Sequence, residues 1–161
     1  MYLLDSNTYI QAKNLYYQMN FCPAYWDWLD QQFAIKAVGS VTNVYEELSH
    51  GNDDLSNWVK ARQSDFIPTT SEEIQSAMSE VADYVVALPN KNQRNLELFL
   101  AKADPWLIAC AMADGHIIVT QEEKVDAQSK KIKIPNVCEH FGVQCITTFD
   151  LLTKLSAKFI L

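Results

Sequence analysis

The stretch that decides the fold runs from Ala103 to Glu122 and reads ADPWLIACAMADGHIIVTQE. Its first half has a proline at a favourable first-turn position and then a nearly unbroken apolar run up to Asp114 and Gly115, which predicts the most apolar helix of the chain. Residues 117–120 read IIVT, a short run that suits a strand buried on both faces. Such strands are typical of parallel sheets covered by helices. The stretch therefore predicts a buried helix that leads directly into a central strand.

Three further apolar runs predict the remaining strands, over residues 2–4, 36–41 and 144–147. Helices are predicted over residues 23–33, 70–88, 92–102, 104–114 and 149–159, the second of them opening with a capping box of Thr70 and Glu73. Helices alternating with strands favour an α/β fold, here a three-layer sandwich with a central, mainly parallel sheet. The excess of helix between residues 42 and 115 predicts a helical lobe over one side of the sheet. Residues 1–161 are expected to form a single domain.

Length and composition exclude several classes of protein. The 161 residues are 48% apolar and 20% charged, which allows a sizeable core without a disulfide or structural metal. The longest apolar run, residues 105–113, is too short to span a membrane, and the first residues lack the pattern of a secretion signal. A cytoplasmic location is therefore expected, with the four cysteines reduced. The net charge of −7 argues against a protein that coats nucleic acid without selectivity.

Acidic residues follow the predicted strands or begin the helices next to them. Asp5 comes directly after the first strand, Glu46 and Glu47 lie on the helix after the second, Asp104 begins the apolar helix, and Glu122 follows the third strand. Taken singly, each has an ordinary explanation as a helix cap, a turn residue or a solvated side chain. Together they would repel one another at the carboxyl ends of parallel strands unless a cation lay among them. Oxygen ligands of this kind select Mg²⁺ or Mn²⁺.

Several segments together resemble a PIN-like domain, and the resemblance spans nearly the whole chain. The segments are 3–7 (LLDSN), 44–48 (VYEEL), 103–111 (ADPWLIACA) and 118–122 (IVTQE), with 131–138 (KIKIPNVC) and 141–143 (FGV) resembling an uncharacterised bacterial PIN-like branch. The resemblance implies a PIN-like fold and a metal-dependent endoribonuclease that hydrolyses RNA phosphodiester bonds. VapC-like members of this group are often the toxin of a toxin–antitoxin pair. An antitoxin protein and a second copy of the chain are then the expected partners, besides RNA.

The resemblance also implies roles for individual side chains. The residues that would hold Mg²⁺ or Mn²⁺ and support catalysis are Asp5, Glu47, Asp104 and Glu122. Glu46 is the alternative to Glu47, and Asp126 is the alternative to Glu122, because each lies close by in the sequence. Ser6 and Thr120 would orient the carboxylates or water through their hydroxyl groups.

A basic segment follows the last of these acids. The candidates for contact with RNA phosphates are Lys124, Lys130, Lys131 and Lys133, together with Arg94. The alternative is that these side chains are only solvated surface. The aromatic-rich residues 16–28 likewise predict either a partner-binding patch or the packing of an amphipathic helix. The rival function is a PIN-like scaffold without catalytic activity that works by binding a protein partner.

Overall fold

The computed structural model describes residues 1–160 and has a four-stranded parallel sheet at its centre. The strands are β1 (Tyr2–Leu4), β2 (Val38–Gly39), β3 (Ile117–Val119) and β4 (Cys145–Ile146). Their order across the sheet is β2-β1-β3-β4, and each neighbouring pair is parallel. Leu3 pairs with Gly39 on one side and with Ile118 on the other. The predicted parallel sheet is confirmed, although β2, β3 and β4 are shorter than the sequence pattern indicated.

Helices separate the strands and follow the last of them, except that β1 is the first element of the chain. They are α1 (Ser6–Gln11), α2 (Pro23–Ala34), α3 (Thr42–Ser49), α4 (Asp54–Lys60), α5 (Glu72–Val86), α6 (Gln93–Ala101), α7 (Asp104–Asp114), α8 (Ile134–Phe141) and α9 (Thr148–Lys154), with a π-helical turn at Ala12–Tyr16 and a 3₁₀ turn at Gln63–Asp65. Helices α3 to α6 lie between β2 and β3, and α5 packs along α7. The α/β architecture with a helical excess in this region is as predicted. Within residues 1–160, no helix combines the length and apolar character needed to cross a membrane.

Three helix starts differ from the sequence prediction by one or two residues, those of α5, α6 and α9, and in α6 the predicted first residue, Asn92, is the cap. Ser71, rather than Thr70, caps α5, because its extended backbone lets the side chain accept a hydrogen bond from the Ile74 amide at 3.3 Å. The predicted capping box beginning at Thr70 is therefore wrong. A capping box does form at α9, where the side chains of Thr147 and Asp150 each accept from the other's backbone amide. That helix begins one residue earlier than predicted and ends sooner.

The core lies where α7 covers the central strands. Leu3 and Ile118 from the sheet, and Leu107 and Ile108 from the helix, are all fully buried. Burying one such side chain contributes about 1.5–3 kcal/mol, so the packing of α7 on β3 fixes the position of this helix against the sheet. Because α7 follows directly from Asp104, the same packing fixes the place of that residue relative to the ends of the strands.

The aromatic-rich segment divides between core and surface. Tyr25 and Trp26 on α2 are buried, and the ring of Tyr25 stacks on Tyr17 with centroids 4.3 Å apart. This confirms the expected packing of an amphipathic helix. Tyr16 and Phe21, in contrast, are 57% and 61% exposed. These two are the aromatic residues of the segment that could form a partner-binding patch.

Replacing Gly115 with alanine is expected to lower the free energy of unfolding by about 1 kcal/mol. Gly115 ends α7 with a left-handed backbone (φ 70°), and a Cβ atom there would meet nothing within 4 Å, so the cost is conformational rather than steric. Urea unfolding monitored by circular dichroism measures the change in the free energy of unfolding. Gly51→Ala is the matched control, because its Cβ would make only ordinary contacts, the nearest at 3.5 Å to Ser56. Equal destabilisation of both variants would contradict this explanation.

Candidate metal-binding acidic site

Four acidic residues lie close enough together beyond the carboxyl ends of β1 and β3 for their charges to interact, although within residues 1–160 no three of their ligand oxygens lie within 4.8 Å of one another. Asp5 follows β1, Glu122 follows β3, Glu47 comes from α3 and Asp104 is the first residue of α7. The pKa of Asp104 is raised to about 7, first by burial and then by the negative charges of Glu122, Asp5 and Glu47. The structure thus brings together the four acids that the sequence singled out, from positions far apart in the chain.

Asp5 is the most deeply buried of the four acids and is only 1% exposed. Its Oδ1 accepts hydrogen bonds from the backbone amide and the hydroxyl of Thr8, each at 2.6 Å, and its Oδ2 accepts from the Thr120 hydroxyl at 2.7 Å. Burial raises the pKa of Asp5, the bonds from Thr8 and Thr120 oppose that rise, and the charge of Glu122 adds to it. Asp5 is therefore the N-cap of α1 and at the same time one of the charges that act on Asp104. Sequence reasoning missed Thr8, although its position three residues after Asp5 is the usual signal of an N-cap bond.

Glu47 ties α3 to the start of α7. Its Oε1 accepts a hydrogen bond from the Ala103 amide at 2.7 Å, and its Oε2 accepts one from the Ser6 hydroxyl. Both glutamates are exposed, but Glu46 is not among the charges that raise the pKa of Asp104, whereas Glu47 is. Of the two neighbouring glutamates, the structure therefore places Glu47 against the acidic site and leaves Glu46 outside it.

Glu122 is held by the segment that follows it. Its Oε2 accepts from the Ile134 amide at the start of α8, at 2.8 Å, and its Oε1 lies 3.4 Å from the ammonium group of Lys133. The side chain is 13% exposed. Asp126 lies elsewhere on the same loop, where its carboxylate accepts from the Gln128 amide at 2.8 Å and does not contribute to the raised pKa of Asp104. Glu122, not Asp126, is the acid that the structure brings next to Asp104.

Asp104 differs from the other three acids because, within residues 1–160, no hydrogen bond to its carboxylate is found. Ala103 occupies the cap position of α7 with a helical backbone, so Asp104 is the first helical residue and not the N-cap that the sequence suggested. Its carboxylate lines a cleft of about 120 Å³ together with Glu122, Lys102, Lys131 and Lys133. This partly buried carboxylate has no hydrogen-bond donor and faces three further acids, and the charge of Lys102 opposes the rise in its pKa without cancelling it.

The donor set fits a hard divalent cation in ligand type and in charge. All four side chains offer carboxylate oxygens, which Mg²⁺ and Mn²⁺ prefer, and a cation would relieve the repulsion that raises the pKa of Asp104. The oxygens of Asp5, Glu47 and Glu122 also bond to the protein, so these three side chains are oriented before any ion binds. Asp104 is the ligand left free.

A second cluster lies at the other end of β3 and escaped the sequence analysis. It consists of Cys110, Asp114 and His116, the one group of three ionisable ligands in residues 1–160 whose ligand atoms all lie within 4.8 Å of one another. Asp114 Oδ2 is 3.9 Å from both Cys110 Sγ and His116 Nε2. The spacing of Cys110 and Asp114, one helical turn apart on α7, is the signal that could have found it. Its mixed sulfur, nitrogen and oxygen donors do not match Mg²⁺ or Mn²⁺.

The basic residues predicted to contact RNA phosphates do not lie together in the structure. Lys131 and Lys133 line the cleft beside Asp104. Lys124 instead forms an ion pair with Glu139, with Nζ 2.6 Å from Oε2. The side chains of Lys130 and Arg94 are exposed and contribute to neither contact. Lys102, which precedes Asp104 closely in the sequence, is the third lysine of the cleft.

The fold and the site together define an α/β protein with a parallel sheet and an acidic cleft at the carboxyl edge of that sheet. The chain belongs to the family described as "Domain of unknown function (DUF4411)", whose sequence profile matches residues 2–159. No curated protein and no solved structure matches the chain.

Proposed function

We propose that this protein is a Mg²⁺- or Mn²⁺-dependent endoribonuclease of PIN-like type. The observation that supports the proposal most strongly is the Asp104 carboxylate, which faces three other acids and whose pKa is raised to about 7. A cluster of this kind is costly for a protein unless a cation offsets its charge. Sites built from carboxylates at the carboxyl edge of a parallel sheet are suited to binding phosphate esters through divalent ions.

The residues that would hold the cation are Asp5, Glu47, Asp104 and Glu122. When bound there, a divalent ion supplies an activated water molecule and stabilises negative charge on the departing oxygen. The protein's own contribution is to hold the ligands in place before substrate arrives. Thr120 fixes one oxygen of Asp5 at 2.7 Å, and the Ser6 hydroxyl holds Glu47. Through these bonds Ser6 and Thr120 would orient the two carboxylates.

The lysines of the cleft supply the positive charge that an acidic protein otherwise lacks. Lys102, Lys131 and Lys133 line the same cavity as Asp104, where they would contact phosphate groups on either side of the bond that is cleaved. We extend the proposal to a cytoplasmic toxin that pairs with an antitoxin protein and associates as a homodimer. These last features rest on the PIN-like resemblance alone.

Purified protein incubated with single-stranded RNA and Mn²⁺ or Mg²⁺ tests the nuclease proposal. We expect cleavage that stops when EDTA is added and returns when excess Mn²⁺ restores free ion. Calorimetric titration with Mn²⁺ should show binding to the wild-type protein. Absence of both binding and cleavage would favour the catalytically inactive scaffold instead. Growth arrest on expression, relieved by Asp104→Asn, would identify a toxin rather than a housekeeping nuclease.

Replacing Glu47 with glutamine is expected to lower the RNA cleavage rate by about a hundredfold. The amide keeps the size of the side chain but removes the charge, and it weakens the bond to the Ala103 amide that orients the start of α7. Single-turnover cleavage at saturating Mn²⁺ measures the loss. Glu46→Gln is the matched control: Glu46 is the neighbouring glutamate but is not among the charges that act on Asp104, so this variant should retain full activity. A larger loss in the control than in Glu47→Gln would show that the wrong glutamate has been assigned.

A further inference from the structure

The chain between β3 and α8, residues 120–133, contains neither helix nor strand but is held in place by side chains. Asn136 brackets Val125, accepting from its amide at 3.0 Å and donating to its carbonyl at 2.8 Å. The remaining anchors are Asn90 to Gln128, Lys91 to the Ser129 carbonyl and Asn95 to the Lys130 carbonyl. Irregular loops of more than about 12 residues are uncommon in compact domains and are usually functional. The hydrogen bonds to Asn136 and the other anchors fix the conformation of residues 120–133 before any ligand binds.

A cavity of about 460 Å³ lies behind this loop, between the end of α5 and helix α8. Its apolar walls come from Tyr84, Leu88, Val125 and Ile132, among others. The ring of Tyr84 is itself fixed by stacking on His140, with centroids 3.8 Å apart and planes within 9°. A pocket of this size, with a rigid aromatic ring and apolar walls, is suited to a small organic ligand with a flat apolar part.

The charges around the cavity favour an anionic ligand. Lys91, Lys124 and Lys131 line it, against the acids Asp126 and Glu139. Because Lys124 is already paired with Glu139, the cavity keeps a positive balance in a protein whose net charge is −7. A pocket that offers an aromatic ring, apolar walls and neighbouring ammonium groups matches a nucleotide, because its base is flat and its phosphate is negative.

The cavity and the acidic cleft are adjacent. Lys131 and Ile132 line both of them, so a ligand in the cavity would lie on one side of these two residues and Asp104 on the other. We infer that the cavity binds one nucleotide of an RNA strand, next to the phosphodiester group that lies in the cleft. This inference rests on the proposed nuclease function, and it adds a binding site that the four acids do not themselves provide.

Adenosine 5′-monophosphate is the probe, titrated into metal-free protein in EDTA and followed by calorimetry. We expect it to bind the wild-type protein, and Ala127→Trp to weaken binding by more than about tenfold, because Ala127 is an exposed wall residue of the cavity. The matched control is Ala24→Trp, a substitution at an exposed alanine of α2 outside the cavity, which should bind like wild type. Lys131→Gln, which removes a charge from the cavity without filling space or removing a loop anchor, should weaken binding by more than about threefold.

Asp104→Asn separates this inference from the nuclease proposal. Because Asp104 lines the cleft and not the cavity, this variant should bind adenosine 5′-monophosphate like wild type while failing to cleave RNA. Nucleotide binding that Ala127→Trp abolishes, in a protein without nuclease activity, would support the cavity and refute the nuclease. The inference is overturned if the nucleotide does not bind wild-type protein, if Ala127→Trp binds it equally well, or if inorganic phosphate binds as tightly as the nucleotide.

Discussion

Asp104→Asn is expected to reduce metal-dependent RNA cleavage by more than about a thousandfold. Asp104 is the one acid of the four whose carboxylate is not already engaged by the protein, and its raised pKa shows how strongly the site favours added positive charge. An amide of the same shape cannot offer that charge to a cation. The change in cleavage rate with Mn²⁺ concentration, measured on one RNA substrate, should show weaker ion binding as well as slower turnover.

Asp27→Asn is the matched control for this substitution. Asp27 is an exposed aspartate of α2 that lines neither the acidic cleft nor the cavity. We expect its replacement to leave the cleavage rate within about twofold of wild type. Full activity of Asp104→Asn, or equal loss in the two variants, would remove the basis for placing catalysis at the acidic cleft.

The sequence predicts the centre of this fold well because the deciding signals are local. The apolar run of α7 and the short strand after it, ending at Val119, have few alternatives once both must be buried. Strand ends and helix caps are harder, since neighbouring residues compete for the same role. Ser71 rather than Thr70 caps α5, although both are capping residues at neighbouring positions. Thr147 caps α9 with Asp150 in a capping box, a local pattern that the prediction of this helix did not use.

The candidate site is predictable in its members but not in their bonding. The position of Asp5 and Glu122 after parallel strands implies that they meet, since the carboxyl ends of such strands share one edge. That Glu122 would bind the Ile134 amide depends on the path of an irregular loop, for which the sequence has no periodic signal. The same holds for the cavity behind that loop. The cluster of Cys110 and His116 needs the turn between α7 and β3, which only the folded chain fixes.

The stability of the metal-free protein should fall as pH rises from about 4 to about 7 because of Asp104. Its pKa is 3.8 in the unfolded reference and about 7 in the folded protein, so the folded state binds the proton more tightly over this range. The stabilisation is complete below pH 4 and lost above the folded pKa. The full shift corresponds to about 4 kcal/mol, and partial exposure to solvent reduces the expected effect to about 2 kcal/mol. Asp104→Asn should therefore be the more stable protein at pH 8 and equal to wild type near pH 4, as measured by urea unfolding in EDTA.

Asp150→Asn supplies a control of opposite sign. Hydrogen bonds from the backbone and side chain of Thr147 lower the pKa of Asp150, so its ionised form stabilises the folded state. That contribution is present above the unfolded pKa and disappears as pH falls through the folded one, so the substitution should destabilise the protein at neutral pH.

Mn²⁺ at pH 8 should stabilise the wild-type protein and reduce the difference in unfolding free energy between it and Asp104→Asn. The reason is that an ion among the acids replaces the proton that Asp104 holds at low pH. A gap between the two proteins that does not change with pH or Mn²⁺ would mean that Asp104 does not experience the charges of the other three acids.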